Sequence, residues 1–248
     1  MTAVKTTTGA TRLRSVLGVC GELVITFGVL VLAYGAWLFF WTSVDARADA
    51  HESVRAFSVA VAPAGGDVAP LHTEEPPVPP TPNLGDTLGV LRVPRWSGLT
   101  DNAMPIREGT RKAILDQAAA GHYVDSQLPG QVGNMALAGH RRTYGNSFRY
   151  VDRLRVGDAL VVETADTWYV YRVTGSEIVR PDQSDVVAPV PHQPEVRPTQ
   201  RLLTLTTCHS LTQGEYGNDH RWITYAELEG WLPRAEGTPA ALTEELSP

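Results

Sequence analysis

The sequence predicts a mainly β domain, an antiparallel barrel or sandwich, that follows a single membrane-spanning helix. Two observations indicate the β class: short apolar or β-branched runs alternate with turn residues, and few segments show a helical period. The third observation is one long charge-free segment near the N-terminus. Because loops rather than regular helices separate the strands, a barrel or sandwich is favoured over a βαβ fold. The predicted strands are residues 87–93, 132–139, 159–164, 167–179, 201–208 and 222–228.

One or two short helices are expected within this β domain. Residues 110–119 have a helical composition and are followed by Gly121, which is a typical stop signal. A shorter helix is expected within residues 144–154. The domain as a whole is expected to cover residues 87–232, roughly 145 residues, which is enough to bury a substantial core.

The charge-free segment covers residues 23–41 and is predicted to be a retained membrane anchor. At about 1.5 Å per residue, these 19 residues can cross a hydrocarbon core of about 30 Å. A signal peptide has a shorter apolar core followed by a small-residue cleavage site, whereas this segment ends in large aromatic residues. Lys5, Arg12 and Arg14 precede it, so residues 1–22 are predicted to be cytoplasmic and the β domain extracellular.

Two further segments are predicted to lie outside any packed core. Residues 42–86 begin with alanines and charges, which can extend the membrane helix for a few turns, and then become rich in proline and glycine. They are interpreted as an extended linker between the membrane and the domain. Residues 233–248 are polar and are predicted to be a disordered tail.

Charge and motif content exclude several classes of function. The formal net charge is −6, which argues against a nucleic acid as the partner. The chain shows no phosphate-binding loop, no dinucleotide fingerprint and no metal-ligand spacing. The acidic residues of the β domain form no recognisable calcium loop. No cofactor and no metal are therefore expected.

The chain has two cysteines, and the predicted topology keeps them apart. Cys20 would lie at the inner edge of the membrane and Cys208 outside, so the two cannot pair with each other. An unpaired cysteine in an exported domain is unusual, because oxidising surroundings consume free thiols. Cys208 is therefore either a buried structural residue or a nucleophile.

Two residues are candidates to assist a Cys208 thiolate. His140 follows an apolar run, so its side chain is expected to emerge at the end of a strand. Arg221 begins the strand after Cys208, and antiparallel pairing would place the two at the same end of the barrel. The histidine can exchange protons with amines, and the arginine can stabilise an oxyanion without competing for the proton. His209 and His220 lie nearer to Cys208 in sequence, and spacing alone does not exclude them.

The motifs "TLTTC" at residues 204–208, "ALAGHR" at residues 136–141 and the downstream Arg221 together resemble the sortases, the cell-surface cysteine transpeptidases. The resemblance covers residues 87–232. In "GHRRTYGNSF", "VVAPVP" and "TLTTCH" the chain is similar to class E sortases of high-GC Gram-positive bacteria.

This resemblance implies an eight-stranded barrel and a specific reaction. The enzyme would cut a C-terminal sorting signal, Leu-Ala-x-Thr-Gly or Leu-Pro-x-Thr-Gly, between threonine and glycine and pass the threonyl group to a cell-wall amine on lipid II. By residue matching, Cys208 is the nucleophile, His140 the general acid/base and Arg221 the oxyanion-stabilising or substrate-orienting cation. Thr207 is expected to contribute to the oxyanion site through its backbone or hydroxyl, and Tyr144 to a pocket for the second signal position.

Other functions remain open from the residues alone. The chain lacks the close cysteine-to-arginine spacing of L,D-transpeptidases and the cysteine-before-histidine order of papain-like peptidases. A non-catalytic tethered β domain that binds envelope components is a further alternative, and it predicts an unreactive Cys208. A sortase that polymerises pilins would differ in its amine acceptor, which the sequence does not identify.

Overall fold

The computed structural model describes residues 7–37, 42–61, 63–214 and 217–243 of the chain. The chain divides into two compact units, residues 1–42 and residues 43–248. In the first unit, helix α1 covers Thr7–Ala36, and its segment Leu17–Ala36 is long and apolar enough to cross a membrane. The predicted span 23–41 overlaps this segment. Residues 38–41, the last part of that prediction, lie outside the described residues.

The second unit is built around a closed barrel of eight strands, which confirms the mainly β fold class. The strands are β2 (Thr87–Arg92), β3 (Ala103–Glu108), β4 (Ala120–His122), β5 (Gly133–Ala138), β6 (Ala159–Glu163), β7 (Thr167–Val179), β8 (Arg201–His209) and β9 (His220–Pro233); a two-residue strand β1 (Val68–Ala69) precedes them and another, β10 (Thr238–Pro239), follows. Around the barrel the order is β2-β3-β4-β5-β8-β9-β7-β6. The pairs β3–β4 and β5–β8 are parallel and the other neighbours are antiparallel, so the barrel is mixed rather than wholly antiparallel.

The core of the barrel explains why the apolar runs form strands. Side chains that alternate along the strands point inward and are fully buried, including Leu91, Leu137, Leu205 and Tyr171. At about 25 cal/mol per Å², burial of such side chains is the main favourable contribution to folding. Gly89 lies at a bulge where β2 approaches Glu163 so closely that a Cβ would sit 2.1 Å from the Glu163 carbonyl oxygen. No larger residue fits there.

The helices inside the domain are shorter than the sequence predicts. Helix α3 covers Lys112–Leu115 rather than residues 110–119, because the chain turns at Ala118 with a φ of +52° and then enters β4. Residues 144–154 contain a short 3₁₀ turn at Val151–Arg153 instead of an α-helix. Tyr144 and Asn146 have φ angles of +48° and +58°, which an α-helix does not allow.

The prediction of an extended linker over residues 42–86 is wrong where the segment packs on the barrel, although its first part is helical, as its composition allows. Helix α2 covers Thr42–Ala60 and buries Ala46 and Ala50. Farther on, His72 forms a bridge with Trp231, and the Pro77 carbonyl accepts a 2.8 Å hydrogen bond from the Tyr169 hydroxyl. The segment is polar enough to look unstructured, but its backbone groups find partners on the barrel, and these contacts favour an ordered path.

The prediction of a disordered tail is also wrong for residues 233–243. Strand β10 pairs in parallel with β1, and Ala241 is buried in a small apolar cluster with Trp168 and Leu232. The indole nitrogen of Trp168 donates a 3.1 Å hydrogen bond to the Gly237 carbonyl. Few apolar residues are needed to order this segment because the barrel supplies the rest of the cluster. Residues 244–248 lie outside the described residues.

Candidate active site

Three neighbouring strands bring the predicted catalytic residues to one end of the barrel. Strands β5 and β8 run in parallel, with Ala138 opposite Thr206, so the residues two positions later, His140 and Cys208, emerge at the same edge. Strands β8 and β9 are antiparallel, with Cys208 directly opposite Arg221. The predicted pairing of the cysteine and the arginine is confirmed, and the parallel pair adds the histidine.

These three side chains line one cavity of about 350 Å³. Cys208 is partly accessible and is a free thiol, as is Cys20. The remaining walls are largely apolar. They are formed by Thr110, Leu115, Tyr123, Ala138, Gly139, Val179, Pro181, Gln183, Ser184, Val186, Val187, Thr206, Thr207 and Ile223. A thiol, an imidazole and a guanidinium around a partly apolar cavity can support acyl transfer from a peptide.

His140 is held by contacts from segments that are distant in sequence. Its Nε2 lies 2.9 Å from Oδ1 of Asp116, the residue that follows α3. The Tyr144 ring lies at 5.5 Å from the imidazole, between centroids. Lys112 contacts both Asp116 and Tyr144. Its Nζ pairs with the Asp116 carboxylate and lies 4.3 Å from the Tyr144 ring centroid. The chain has little free space directly after β5, because a Cβ on Gly139 would lie 2.8 Å from the Phe148 ring.

Arg221 is oriented by the loop that precedes it. Its Nη1 donates hydrogen bonds of 2.8 Å to the carbonyls of Asn218 and His220. Because a guanidinium carries five N–H donors, others remain available to a substrate. In the same loop Asp219 accepts hydrogen bonds from the Thr212 hydroxyl and backbone amide, and the hydroxyl bond is the main reason that the pKa of Asp219 is lowered. These hydrogen bonds join Thr212 and Asp219, which lie near the two ends of the polar loop between β8 and β9.

The positions of Thr207 and Tyr144 limit the roles predicted for them, at the oxyanion site and in the pocket for the second signal position. Thr207 lines the cavity and is 3% exposed, but its hydroxyl donates a 2.6 Å hydrogen bond to the Gly139 carbonyl. A threonine hydroxyl has one hydrogen, so an oxyanion contact from this residue would have to come from its backbone. Tyr144 contacts the back of the imidazole and is absent from the cavity lining.

The two alternative histidines lie away from the cavity. Side chains alternate along a strand, so His209 projects from β8 on the face opposite Cys208. There it bonds to the Arg141 guanidinium and packs edge-on against Trp222, with centroids 5.5 Å apart. Burial, and then the charge of Arg141, lower the pKa of His209. His220 is opposite His209 in the ladder and also does not line the cavity.

Asp116 and Lys112 were not identified from the sequence. They are spaced i, i+4 in the predicted helix, which is the usual spacing of an ion pair on a helix surface. Nothing in that spacing indicates that the carboxylate also reaches His140, 24 residues later. Within the described ranges, no three histidine, cysteine or acidic side chains lie close enough together to hold a metal ion.

The fold and this site define a cysteine acyl-transfer enzyme of the sortase class. The sortase domain family matches residues 91–229, more than half of the chain, and the chain belongs to that family of cysteine transpeptidases.

Individual relatives place the chain near the class E sortases. It is 34% identical over 229 residues to Sortase SrtE1 of Streptomyces coelicolor, an alignment that covers 90% of this chain and 60% of that protein. A solved structure of the SrtA sortase from Actinomyces oris is 55% identical to this chain, with a TM-score of 0.68. The match covers 71% of this chain and 98% of the SrtA chain. Sortase E1 from S. coelicolor, solved with a tripeptide in its active site, is 34% identical with a TM-score of 0.57, covering 64% and 97%.

Proposed function

We propose that this protein is a membrane-anchored transpeptidase. It cleaves a C-terminal sorting signal, Leu-Ala-x-Thr-Gly or Leu-Pro-x-Thr-Gly, between threonine and glycine, and transfers the threonyl group to a cell-wall amine on lipid II. The observation that carries the proposal is the convergence of Cys208, His140 and Arg221 on one cavity. Family membership supports the reaction class, and the tripeptide in the active site of Sortase E1 supports a peptide substrate.

In the first half-reaction the Cys208 thiolate attacks the threonine carbonyl carbon and a carbon–sulfur bond forms. Arg221 stabilises the negative oxygen of the tetrahedral intermediate. The bond to the glycine nitrogen then breaks, and His140 donates a proton to that leaving amine. The product is a thioester between the enzyme and the threonyl group.

In the second half-reaction an acceptor amine attacks the thioester carbon. A new amide bond forms, the carbon–sulfur bond breaks, and the thiolate of Cys208 is regenerated. His140 takes the proton that the amine loses, so it returns to its starting state. The apolar walls favour transpeptidation over hydrolysis, because they bury the acyl group and limit the access of water.

The cavity also supports a preference for apolar side chains in the signal. Leu115, Val186, Val187 and Ile223 form apolar surfaces in it, which suit the leucine and alanine positions. Tyr144 is proposed to influence the second signal position through His140, since it packs on the imidazole rather than on the cavity wall. Thr207 is proposed to assist the oxyanion through its backbone.

The proposed location is the cell membrane, with the N-terminus inside and the barrel outside. Helix α1 contains the candidate span, and Lys5, Arg12 and Arg14 precede it. The excess of positive charge before the span favours a cytoplasmic N-terminus.

The test uses the full chain in detergent with a Leu-Ala-x-Thr-Gly peptide and a glycine-based amine, and the products are measured by mass spectrometry. We expect a ligated threonyl–amine product that is lost in Cys208→Ala, together with a thioester adduct on the wild-type protein. The Leu-Pro-x-Thr-Gly peptide, measured in parallel, gives the signal preference. Ligation that persists in Cys208→Ala would refute the proposal, and cleavage without ligation would identify a thiol hydrolase instead.

A further inference from the structure

A second concavity, of about 150 Å³, lies beside the catalytic residues on the connection between β5 and β6. It is lined almost entirely by charged and aromatic side chains. These are Arg141, Arg142, Arg149, Tyr150, Asp152 and Arg153. Four arginines and one aspartate give the lining a formal charge of 4 − 1 = +3, although the whole chain has a formal net charge of −6. We refer to this concavity as the arginine pocket.

The positive charge of the arginine pocket is only partly neutralised. Asp152 pairs with Arg141 at 3.2 Å, and Arg141 is buried against the Trp222 ring. Arg142 and Arg153 form no ion pair within the part of the chain that the structure describes. Two guanidinium groups of the lining therefore have no carboxylate partner among the described residues.

The arginine pocket adjoins the end of β8 that carries the nucleophile. Arg141 directly follows His140, and its guanidinium bonds to His209, which directly follows Cys208. The positive charges of Arg141 and Arg142 lower the pKa of His209, second only to burial, so their field extends to this strand end. Because Cys208 and His209 project to opposite faces of β8, the catalytic cavity and the arginine pocket flank the same strand end.

We propose that the arginine pocket binds an anionic group, a carboxylate or a phosphate, on the amine substrate that accepts the threonyl group. This inference rests on the function proposed above. Guanidinium groups bind carboxylate and phosphate oxygens through paired, charge-assisted hydrogen bonds. The donor peptide occupies the catalytic cavity once the thioester has formed, so an acceptor needs a separate anchoring point near Cys208. The arginine pocket supplies one, and a positive lining disfavours competing amines that lack a negative charge.

The test compares two acceptors that present the same amine, glycyl-glycine with a terminal carboxylate and glycyl-glycinamide without one. The full chain in detergent is first supplied with the Leu-Ala-x-Thr-Gly peptide, and the ligation rate is measured against acceptor concentration. If the anion is a carboxylate, KM is about three- to tenfold lower for glycyl-glycine in the wild type. The ratio of the two KM values approaches one in the double variant Arg142→Gln/Arg153→Gln. Because it is taken within one protein, this ratio does not depend on how much of the variant is folded.

A second arm tests the phosphate as the anion. Inorganic pyrophosphate is added at constant ionic strength, and it is expected to raise the acceptor KM in the wild type and to lose this effect in the double variant. Arg172→Gln is the matched control, since Arg172 on β7 pairs with Glu229 on β9 and lines neither cavity. It removes one positive charge and should leave both readouts as in the wild type.

The outcomes separate the possibilities. A carboxylate-dependent KM identifies a carboxylate, and competition by pyrophosphate without it identifies a phosphate. Equal KM values for the two acceptors together with no effect of pyrophosphate would overturn the inference. A carboxylate-dependent KM or a pyrophosphate effect that persists unchanged in the double variant would overturn it as well. Absence of ligation with every acceptor would instead contradict the transpeptidase function.

Discussion

The β8–β9 side of the catalytic cavity is built from a continuous backbone ladder, whereas the side that carries His140 is built from side-chain contacts. Eight consecutive residue pairs join β8 to β9, and the pair Cys208–Arg221 is one of them. His140 lies two residues beyond the end of β5 and depends on Asp116, Tyr144 and the packing of Gly139. A ladder places its residues through many cooperative bonds, so the β8–β9 side is expected to tolerate local changes better than the side that carries His140.

Helix α2 extends this difference, because it contacts residues next to His140 and Asp116. The Arg47 Nε donates a 3.2 Å hydrogen bond to the Gly145 carbonyl, next to Tyr144. Ala46 and Ala50 form a small apolar cluster with Ala118 and Tyr144, close to Asp116. The support of His140 thus includes a segment about 90 residues earlier in the chain.

The largest expected effect comes from removal of the imidazole on the histidine side. His140→Ala should lower kcat/KM by about 10²–10⁴-fold, the usual contribution of a general acid/base. His209→Ala is the matched control, because His209 lies on the other face of β8, and its kcat/KM should stay close to that of the wild type. A large loss in His209→Ala with a small loss in His140→Ala would show that the assigned base is wrong.

An intermediate effect is expected when the support of His140 is removed but the imidazole remains. Asp116→Ala should lower kcat by about tenfold or more, since a hydrogen bond to a charged partner contributes on the order of 1.5–3 kcal/mol and about 1.4 kcal/mol is a factor of ten. Asp116→Asn should recover part of the loss, because the amide oxygen can still accept the imidazole N–H. Asp125→Ala, at an exposed carboxylate, is the control.

The rate of thiol labelling of Cys208 sharpens this comparison. It should change little in Asp116→Ala if the carboxylate acts through His140 alone. A parallel loss of labelling and of kcat, without recovery in Asp116→Asn, would show that the whole site has been distorted.

The smallest expected effect comes from loosening α2. Ala46→Glu places a carboxylate at a residue that is 5% exposed, and burial of an unpaired charge is unfavourable, so α2 should detach locally. Hydrogen exchange in residues 42–60 should increase, and kcat should fall by a few-fold while thiol labelling of Cys208 is retained. Ala48→Glu lies on the exposed face of the same helix and should change neither. An unchanged kcat in a variant whose α2 has detached would show that the helix does not support the site.

Local sequence patterns predict those parts of the molecule in which the residues' own preferences and their final environment agree. Six of the eight barrel strands contain apolar or β-branched runs that predict a strand from the local sequence alone. Strand β3 was missed because it contains a proline and two charges, and β4 because it is only three residues long. Both strands are stabilised by pairing with others, and such pairing leaves little trace in a short segment.

The sequence by itself determined the mainly β class, the apolar N-terminal helix and the proximity of Cys208 to Arg221, because these follow from periodicity and from the connection of adjacent strands. Only the tertiary structure decided that α2 and residues 233–243 pack on the barrel and that Asp116 reaches His140. It also placed the four arginines around one concavity. Those contacts join segments that are far apart in the chain, and their energies depend on distances that no local pattern encodes.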